Sequence, residues 1–330
     1  MARPARLSGG DARRPTILDV AAAAGVSRQT VTRAVNGMEG ISAATRARVL
    51  SAAEELGYRP SRFGRGLVTG GERQLGLVLD DLRNPYFPEL AAAVVARAAA
   101  HGWNVLLVDA ALADDPAELL ESLGRQVDAV VGYFDTRVPD WIRGPGPLPV
   151  VTLGETIDPA LGGVLLDDGP AMADLAAHLA EAGVRRPAVL DPWETGEFGD
   201  RGQRLRAVLE AHGMPVRAVR SAAVSADAAA SAIAPHLVGP DAVDAVVAFN
   251  DIMAVGVLAA CRRAGVTVPD RVRVAGIDGL PLGELVSPTL TTLAIDLDEV
   301  AREAVELAIG GGPPLATRVV RHRLVVRESA

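Results

Sequence analysis

From residue 74 onward, short runs of Val, Leu, Ile and Ala that are apolar throughout alternate with longer alanine-rich stretches of helical period. The runs lie at 75–79, 105–108, 129–133, 150–153, 164–166, 188–190, 245–249, 272–277 and 324–326, and the helical stretches at 89–101, 171–182, 203–212, 226–237, 252–264 and 297–308. A strand that is apolar on both faces must be covered on both faces, and helices between successive strands supply the cover. The pattern therefore predicts parallel sheets flanked by helices. So many strands exceed one compact βαβ unit, which leaves two α/β subdomains with a cleft between them. Ligands of such folds sit at the carboxyl ends of the strands, where loops converge.

The N-terminal part is of another kind. Residues 16–36 read TILDVAAAAGVSRQTVTRAVN: Ile17, Val20, Ala21 and Ala24 recur at helical spacing, Gly25 interrupts, and Val31, Ala34 and Val35 begin a second apolar stripe. Ser27 suits the N-cap of the second helix, and Val26 and Val31 sit where a hydrophobic staple fixes its entry angle. With the stripe turned inward, Arg28, Gln29, Thr32, Arg33 and Asn36 face outward. Arg matches guanine O6/N7 and Gln matches adenine N6/N7, so these side chains suit base edges and phosphates in a major groove. Any small helical hairpin has a polar face, and the continuation is what adds weight. Ser42 can cap a third helix whose Val49, Ala53 and Leu56 close a three-helix core, and Gly57-Tyr58-Arg59-Pro60 stops it.

The net charge of −8 suits a nucleic-acid binder only once it is divided. Residues 1–70 hold 11 basic and 5 acidic side chains, whereas the rest holds 22 and 36, so the basic charge is confined to one end. The chain has no Lys, which leaves Arg and backbone N–H groups for every phosphate contact. Residues 1–15 are polar and arginine-bearing and are expected to be a disordered basic tail. The single cysteine, Cys261, lies in an alanine-rich helical stretch and reads as core packing. With no membrane-length apolar stretch and no signal-peptide apolar core, the protein is expected to be cytoplasmic and not membrane-bound.

The motifs Asp19-Val20-Ala21, Ala24-Gly25-Val26-Ser27, Thr30-Val31, Arg33, Val35-Asn36, Thr45-Arg46, Leu56-Gly57-Tyr58 and Pro60 stand in the order and spacing of the LacI/GalR family of bacterial transcription regulators, which this chain resembles. The resemblance continues through Asn84-Pro85-Tyr86-Phe87, His178-Leu179 to Gly183, Asn250-Asp251-Ile252-Met253-Ala254-Val255-Gly256, Val268-Pro269, Val274 to Asp278, Pro288 to Leu293 and Leu324 to Ser329. It implies an all-α helix-turn-helix headpiece at 16–60, a hinge at 61–72 and a two-lobed, periplasmic-binding-protein-like effector domain at 73–330. The lobes would be about 73–165 with 297–323, and 166–296 with 324–330, joined by three crossovers that act as a hinge for ligand closure.

On this basis the DNA contacts are expected from Thr16, Ser27, Arg28, Gln29, Thr30, Thr32, Arg33, Asn36, Ser42, Tyr58, Arg62 and Leu67. By position, 61–71 looks like the family's hinge helix, which pairs with its copy in a homodimer and pushes a leucine, here Leu67, into the minor groove to kink the duplex. Gly64 and Gly66 depart from that pattern at roughly 1 kcal/mol each, which predicts a hinge that is disordered off DNA. A glycine-rich linker with no DNA contact is the alternative.

For the effector, Tyr86, Phe87, Arg201, Asn250 and Asp278 are the candidates. Tyr86 and Phe87 either meet a ligand or close the core of the helix they open. Arg201 aligns with the family's effector-binding arginine, against a surface salt bridge to Glu197 or Asp200. Asn250 and Asp278 directly follow apolar runs, where an amide and a carboxylate can grip paired hydroxyls, while Asp251 is expected to cap the following helix. The chain departs from the family at Arg204, where members often have Gly, at Gly279, which replaces a frequent acidic residue, and at Ile295, where several sugar-responsive relatives are polar. A carbohydrate effector rests on family analogy, because aromatic content is only 3% and stacking platforms are few.

No G-x-G-x-x-G follows a strand, no G-x-S-x-G or H-E-x-x-H occurs, and the His residues have no Cys partners at ligand spacing, so no enzyme, metal or cofactor is expected. The reading is a transcriptional regulator, a repressor by family precedent, that binds a pseudo-palindromic operator as a homodimer under control of a small molecule. The alternative is a stand-alone sugar-binding protein of the transport-receptor type.

Overall fold

A computed structural model describes residues 17–35, 38, 40–56, 73–112, 116–124, 126–134, 148–157, 161–193, 198–310 and 316–330. The chain divides into two units, residues 1–73 and 74–330. The expected tail at 1–15 and the hinge at 61–71, with the glycines in it, lie outside the described residues.

Among the described residues, the first unit contains three helices, α1 (Ile17–Ala24), α2 (Arg28–Val35) and α3 (Ala43–Glu55). Gly25 at φ 63 ends α1, and the N–H groups of Gly25 and Val26 donate to the carbonyls of Ala22 (3.3 Å) and Ala21 (3.0 Å). This is a Schellman closure, and a left-handed residue is what it requires. Ser27 Oγ accepts from the Thr30 N–H at 3.1 Å and Ser42 Oγ accepts from the Thr45 N–H at 3.1 Å, so both serines cap as their positions predict. The core is made of small side chains: Val20, Ala21, Ala24, Val31, Ala34, Val49, Ala52 and Ala53. Leu56, expected to close it, is instead 39% exposed. It lies one residue past α3, and Ala52 fills the inward position one turn earlier.

The second unit contains two six-stranded sheets. The first has the order β11-β5-β4-β3-β1-β2, formed by β1 (Arg73–Leu79), β2 (Trp103–Asp109), β3 (Ala129–Tyr133), β4 (Val150–Gly154), β5 (Gly163–Asp167) and β11 (Thr317–Arg321). The second has the order β12-β10-β9-β8-β6-β7, formed by β6 (Pro187–Asp191), β7 (Arg217–Arg220), β8 (Ala245–Ala248), β9 (Arg273–Asp278), β10 (Thr291–Ala294) and β12 (Arg323–Val325). Neighbours pair in parallel from β6 through to β10, and β12 is antiparallel to β10. The chain passes from one sheet to the other after β5, after β10 and between β11 and β12.

Helices cover both faces of each sheet, as strands apolar on both sides demand. Against the first sheet, α4 (Tyr86–Ala100) and α11 (Leu297–Ile309) pack through Leu90, Val94, Val300 and Ala304. On its opposite face α5 (Pro116–Gly124) contributes Leu120 and Leu123. The second sheet is covered by α8 (Ala226–Ile233) and α9 (Asp251–Ala264) on one face, and by α6 (Gly169–Glu181) and α7 (Asp200–Ala211) on the other. A Cβ at Gly256 would collide with the Ala226 carbonyl, so that glycine sets how closely α9 approaches α8. Cys261 is fully buried in this layer, and burial pushes its thiol up to about 11.

Twelve strands replace the nine read from apolar runs, and β7, β10 and β11 are the additions. β7 and β11 are edge strands with one buried residue each, too polar to register as apolar runs. β10 is wholly buried but begins Thr291-Thr292, and its hydroxyls are satisfied inside, by the Arg327 carbonyl at 3.2 Å and by Asp251 Oδ1 at 2.6 Å.

Candidate functional site

In the first unit, α2 presents Arg28, Gln29 and Arg33 as exposed side chains. Thr30 and Thr32 are half-buried. The hydroxyls of Ser27 and Thr30 lie 2.9 Å apart, Thr32 Oγ1 donates to the Arg28 carbonyl at 3.1 Å, and the hydroxyls of Ser42 and Thr45 lie 2.9 Å apart. The hydroxyl residues of the expected DNA-contact set are thus engaged within the headpiece itself. The two arginines and the glutamine are left as its long exposed side chains. Thr16, Asn36, Tyr58, Arg62 and Leu67 lie outside the described residues.

In the second unit a cavity of about 430 Å³ opens at the carboxyl ends of the strands of both sheets, a size that suits a small ligand. Tyr86, Phe87, Arg201, Asn250 and Asp278 all line it, so the five effector candidates converge although they are spread over almost two hundred residues. Asp80, Asp81, Asn84, Tyr133, Gly154, Glu155, Thr156, Leu166, Val224, Phe249 and His322 complete the wall.

Two of the chain's three tyrosines meet here. The Tyr86 and Tyr133 hydroxyls lie 2.6 Å apart, and Phe87 packs edge-on against both rings at centroid distances of 5.3 and 5.4 Å. Burial pushes both phenols up, so they are neutral donors and acceptors at the wall. Tyr86 and Phe87 also belong to the core that α4 closes, so both roles open to them in the sequence are combined.

Arg201 opens α7. Its Nε donates to Glu155 Oε1 at 2.6 Å, one terminal nitrogen pairs with the same carboxylate, and the other donates to the Phe249 carbonyl at 2.8 Å. Its guanidinium stands 4.6 Å over the Phe249 ring. The described partner is therefore Glu155, at the end of β4, and not Asp200; Glu197 lies outside the described residues.

The cap expected of Asp251 is made by Asn250, which also stays in the cleft wall. Asn250 Oδ1 accepts the Met253 N–H at 3.0 Å and is the N-cap of α9, whereas its buried Nδ2 has no partner. Asp251 caps nothing. Fully buried, it accepts from Leu280 N–H at 2.8 Å and from the Thr292 hydroxyl, and burial raises its carboxyl to about 6. Capping goes to the residue whose backbone is still extended, and Asn250 has φ −155 and ψ 175.

Asp278 ends β9 with φ 126, a left-handed conformation that side-chain-bearing residues rarely adopt. Burial drives its carboxyl well above the ordinary range against the opposing pull of Arg201, and its Oδ2 has no partner. His322, at the passage from β11 to β12, presents a third orphan, Nδ1, and burial with Arg201 nearby depresses its pKa, so the imidazole is neutral. Three residues that line one small cavity with aromatic walls, each more than nine-tenths buried, therefore carry a polar atom without a partner. Such groups are costly unless something bonds them.

Sequence reasoning did not single out Glu155, Tyr133 and His322. The first two follow apolar runs, and the rule that found Asn250 and Asp278 applies to them. His322 lies in a short connection with no local signal. Among the described residues, no group of His, Cys, Asp and Glu is placed to hold a metal, and no helix is long and apolar enough to cross a membrane.

Comparison with known proteins joins the two units. A family model described as bacterial regulatory proteins, lacI family, matches residues 16–61, and one described as a periplasmic binding protein-like domain matches 176–330. The ribose operon repressor of Halalkalibacterium halodurans is 30% identical over 95% of this chain and 96% of its own length. The transcriptional repressor CytR of Escherichia coli K12 is 29% identical over the same shares. The crystal structure of a LacI family regulator from Arthrobacter sp. FB24 in complex with lactose superposes with a TM-score of 0.71 and 35% identity, over 79% of this chain and all of that one. With helix-turn-helix unit, two-sheet body and near full-length relatives in agreement, this chain belongs to the LacI family of bacterial regulatory proteins.

Proposed function

We propose that this protein is a repressor that reads operator DNA through Arg28, Gln29 and Arg33 as a homodimer, and that an uncharged carbohydrate held in the cleft controls that binding. The observation that carries the effector reading is the convergence of the orphaned Asn250 Nδ2, Asp278 Oδ2 and His322 Nδ1 on one cavity with Tyr86, Phe87 and Tyr133 in its wall. A donor, an acceptor and a neutral imidazole match vicinal hydroxyls, and aromatic rings match the apolar faces of a sugar. The lactose complex of the Arthrobacter relative supports the same class. On the DNA side, exposed arginine and glutamine in the first turns of a capped second helix support base reading. Ligand closure acts by linkage: a sugar that favours one lobe arrangement shifts DNA affinity by its differential affinity for the two.

The test has two arms on the full-length protein. Thermal shift against neutral mono- and disaccharides and nucleosides identifies a stabilising ligand. Fluorescence anisotropy on operator fragments selected from random DNA then measures affinity with and without it. The expected result is sequence-specific binding that the stabilising sugar changes at least about tenfold, a coupling of ordinary size. A sugar that binds while DNA affinity stays constant would favour the transport-receptor reading. Sedimentation as a monomer at working concentration would overturn the dimer.

A further inference from the structure

Among the described residues, Arg201 is the one guanidinium in the cleft wall, and it is already occupied. Glu155 takes its Nε and one terminal nitrogen, and the Phe249 carbonyl takes the other. Glu155 is itself held from behind. Its second oxygen pairs with Arg204, one helical turn along α7, and Arg204 donates at 2.8 Å to Asp168, which is 4% exposed at the first passage between the sheets. Arg204 is thus fixed between two carboxylates, and Glu155 is fixed between two arginines.

The rest of the cleft wall carries no second cation among the described residues. Asp80 and Asp81 line it beside Glu155, burial holds Asp278 towards its uncharged form, and His322 is neutral. An anion entering this cavity meets a carboxylate on the only arginine, and more carboxylates around it. Like charges close together in a desolvated site are strongly unfavourable, and a buried charge pair is not given up without leaving one partner exposed to the same penalty.

We infer that Glu155, braced by Arg204 and Asp168, is a specificity-determining residue that turns the cleft against anionic ligands, phosphorylated or carboxylated sugars included, and restricts it to uncharged ones. This rests on the reading of the cleft as the effector site. Arg201 then serves to position Glu155 and to shape the wall next to Phe249, and neutral hydroxyls bond to Asn250, Asp278 and His322.

The experiment uses inorganic phosphate as the probe, with sodium chloride at matched ionic strength as the control. Full-length wild type, Glu155→Gln, Glu155→Asp and the double variant Glu155→Gln with Arg201→Ala are titrated by thermal shift and calorimetry, and far-UV circular dichroism establishes that each is folded. Phosphate bound by the arginine-rich headpiece is common to all four and cancels in the comparison. Glu155→Gln is expected to gain a saturable phosphate site with an apparent affinity at least about tenfold above wild type, because a charge-assisted bidentate contact becomes available. The double variant loses that gain, and Glu155→Asp, which keeps the charge, shows none. Two results overturn the inference: a saturable wild-type phosphate response that the double variant lacks, or no gain in a folded Glu155→Gln. If Glu155→Gln does not fold, Arg204→Gln provides the second route, since loosening the brace is expected to give a smaller gain of the same kind, and its absence counts against the inference. Stabilisation of wild type by neutral sugars is scored separately. The effector reading therefore stands or falls on the sugar panel, whatever phosphate does.

Discussion

The headpiece and the cleft do their work with opposite arrangements of polar side chains. On α2 the working groups are long, exposed and attached to a core of alanine and valine so small that it only orients them. In the cleft the proposed working groups are buried, partly unsatisfied and held by neighbours distant in sequence, such as Glu155 on Arg201. A surface reader can change its target by exchanging one side chain. A cleft reader changes its target only by repartnering a network.

The largest effect that would break this contrast is in the headpiece core. Val31→Asp places a carboxylate at a fully buried position of an eight-residue core and is expected to cost on the order of 4 kcal/mol or more, beyond what so small a unit can absorb. Operator binding is lost in anisotropy while the sugar response of residues 74–330 persists in thermal shift. Loss of both together would end the division of labour. Next comes Asp251→Ala, which leaves the Leu280 N–H and the Thr292 hydroxyl without their acceptor and is expected to lower stability by about 2–4 kcal/mol in denaturant titration. In Gln29→Ala the change falls on recognition, with about 1–3 kcal/mol of discrimination lost at one base per half-site. Equal weakening on every sequence would assign Gln29 to phosphate instead.

Asn250 separates folding from binding in one side chain. Asn250→Ala removes the α9 cap, at about 1 kcal/mol, together with the cleft donor; Asn250→Asp keeps the capping oxygen and removes only the donor. Both are expected to weaken sugar binding, with only the first lowering the melting temperature.

The smallest effect is in pH. Burial raises the Glu155 carboxyl, but Arg201 and Arg204 outweigh it and hold the group below its ordinary 4.5, so its stabilisation is present above 4.5 and is lost as pH falls through the lower folded value. Asp251 runs the other way. Raised from 3.8 to about 6, it contributes fully below 3.8 and loses that contribution as pH rises through about 6. Stability curves of Glu155→Gln and Asp251→Asn against wild type, from pH 3 to 7, should therefore diverge at opposite ends of that range.

Legibility in the sequence follows the same division. The headpiece was readable because its signals are local: Ser27 caps three residues ahead, Gly25 closes a helix next to it, and the outward residues follow from period alone. Leu56 was misplaced because one residue beyond a helix end the period no longer governs direction. In the body, apolar runs marked the strand ends and so brought Tyr86, Phe87, Asn250 and Asp278 to the cleft, whereas Arg201 came from the family resemblance. That Asn250 rather than Asp251 caps the helix was invisible, because Asp251 is drawn inward by Thr292 and Leu280, some thirty to forty residues away. Arg204 stood out as a departure, but its meaning depends on Glu155 and Asp168, which only the folded chain brings to it.

The late strands β11 and β12 have a consequence for how such a protein is made and inherited. β11 is an edge of the first sheet and β12 an edge of the second, and Ser329 is tied to both Val274 and Thr291 inside the second sheet. Neither half of the body is a continuous stretch of chain, so during synthesis both remain incomplete until residues beyond 316 have left the ribosome, whereas the headpiece can fold almost at once. Genetic exchange meets the same constraint. A single crossover near residue 70 can transplant a DNA reader whole, but no single crossover can transplant one lobe, so the two-sheet body can pass between lineages only as one piece.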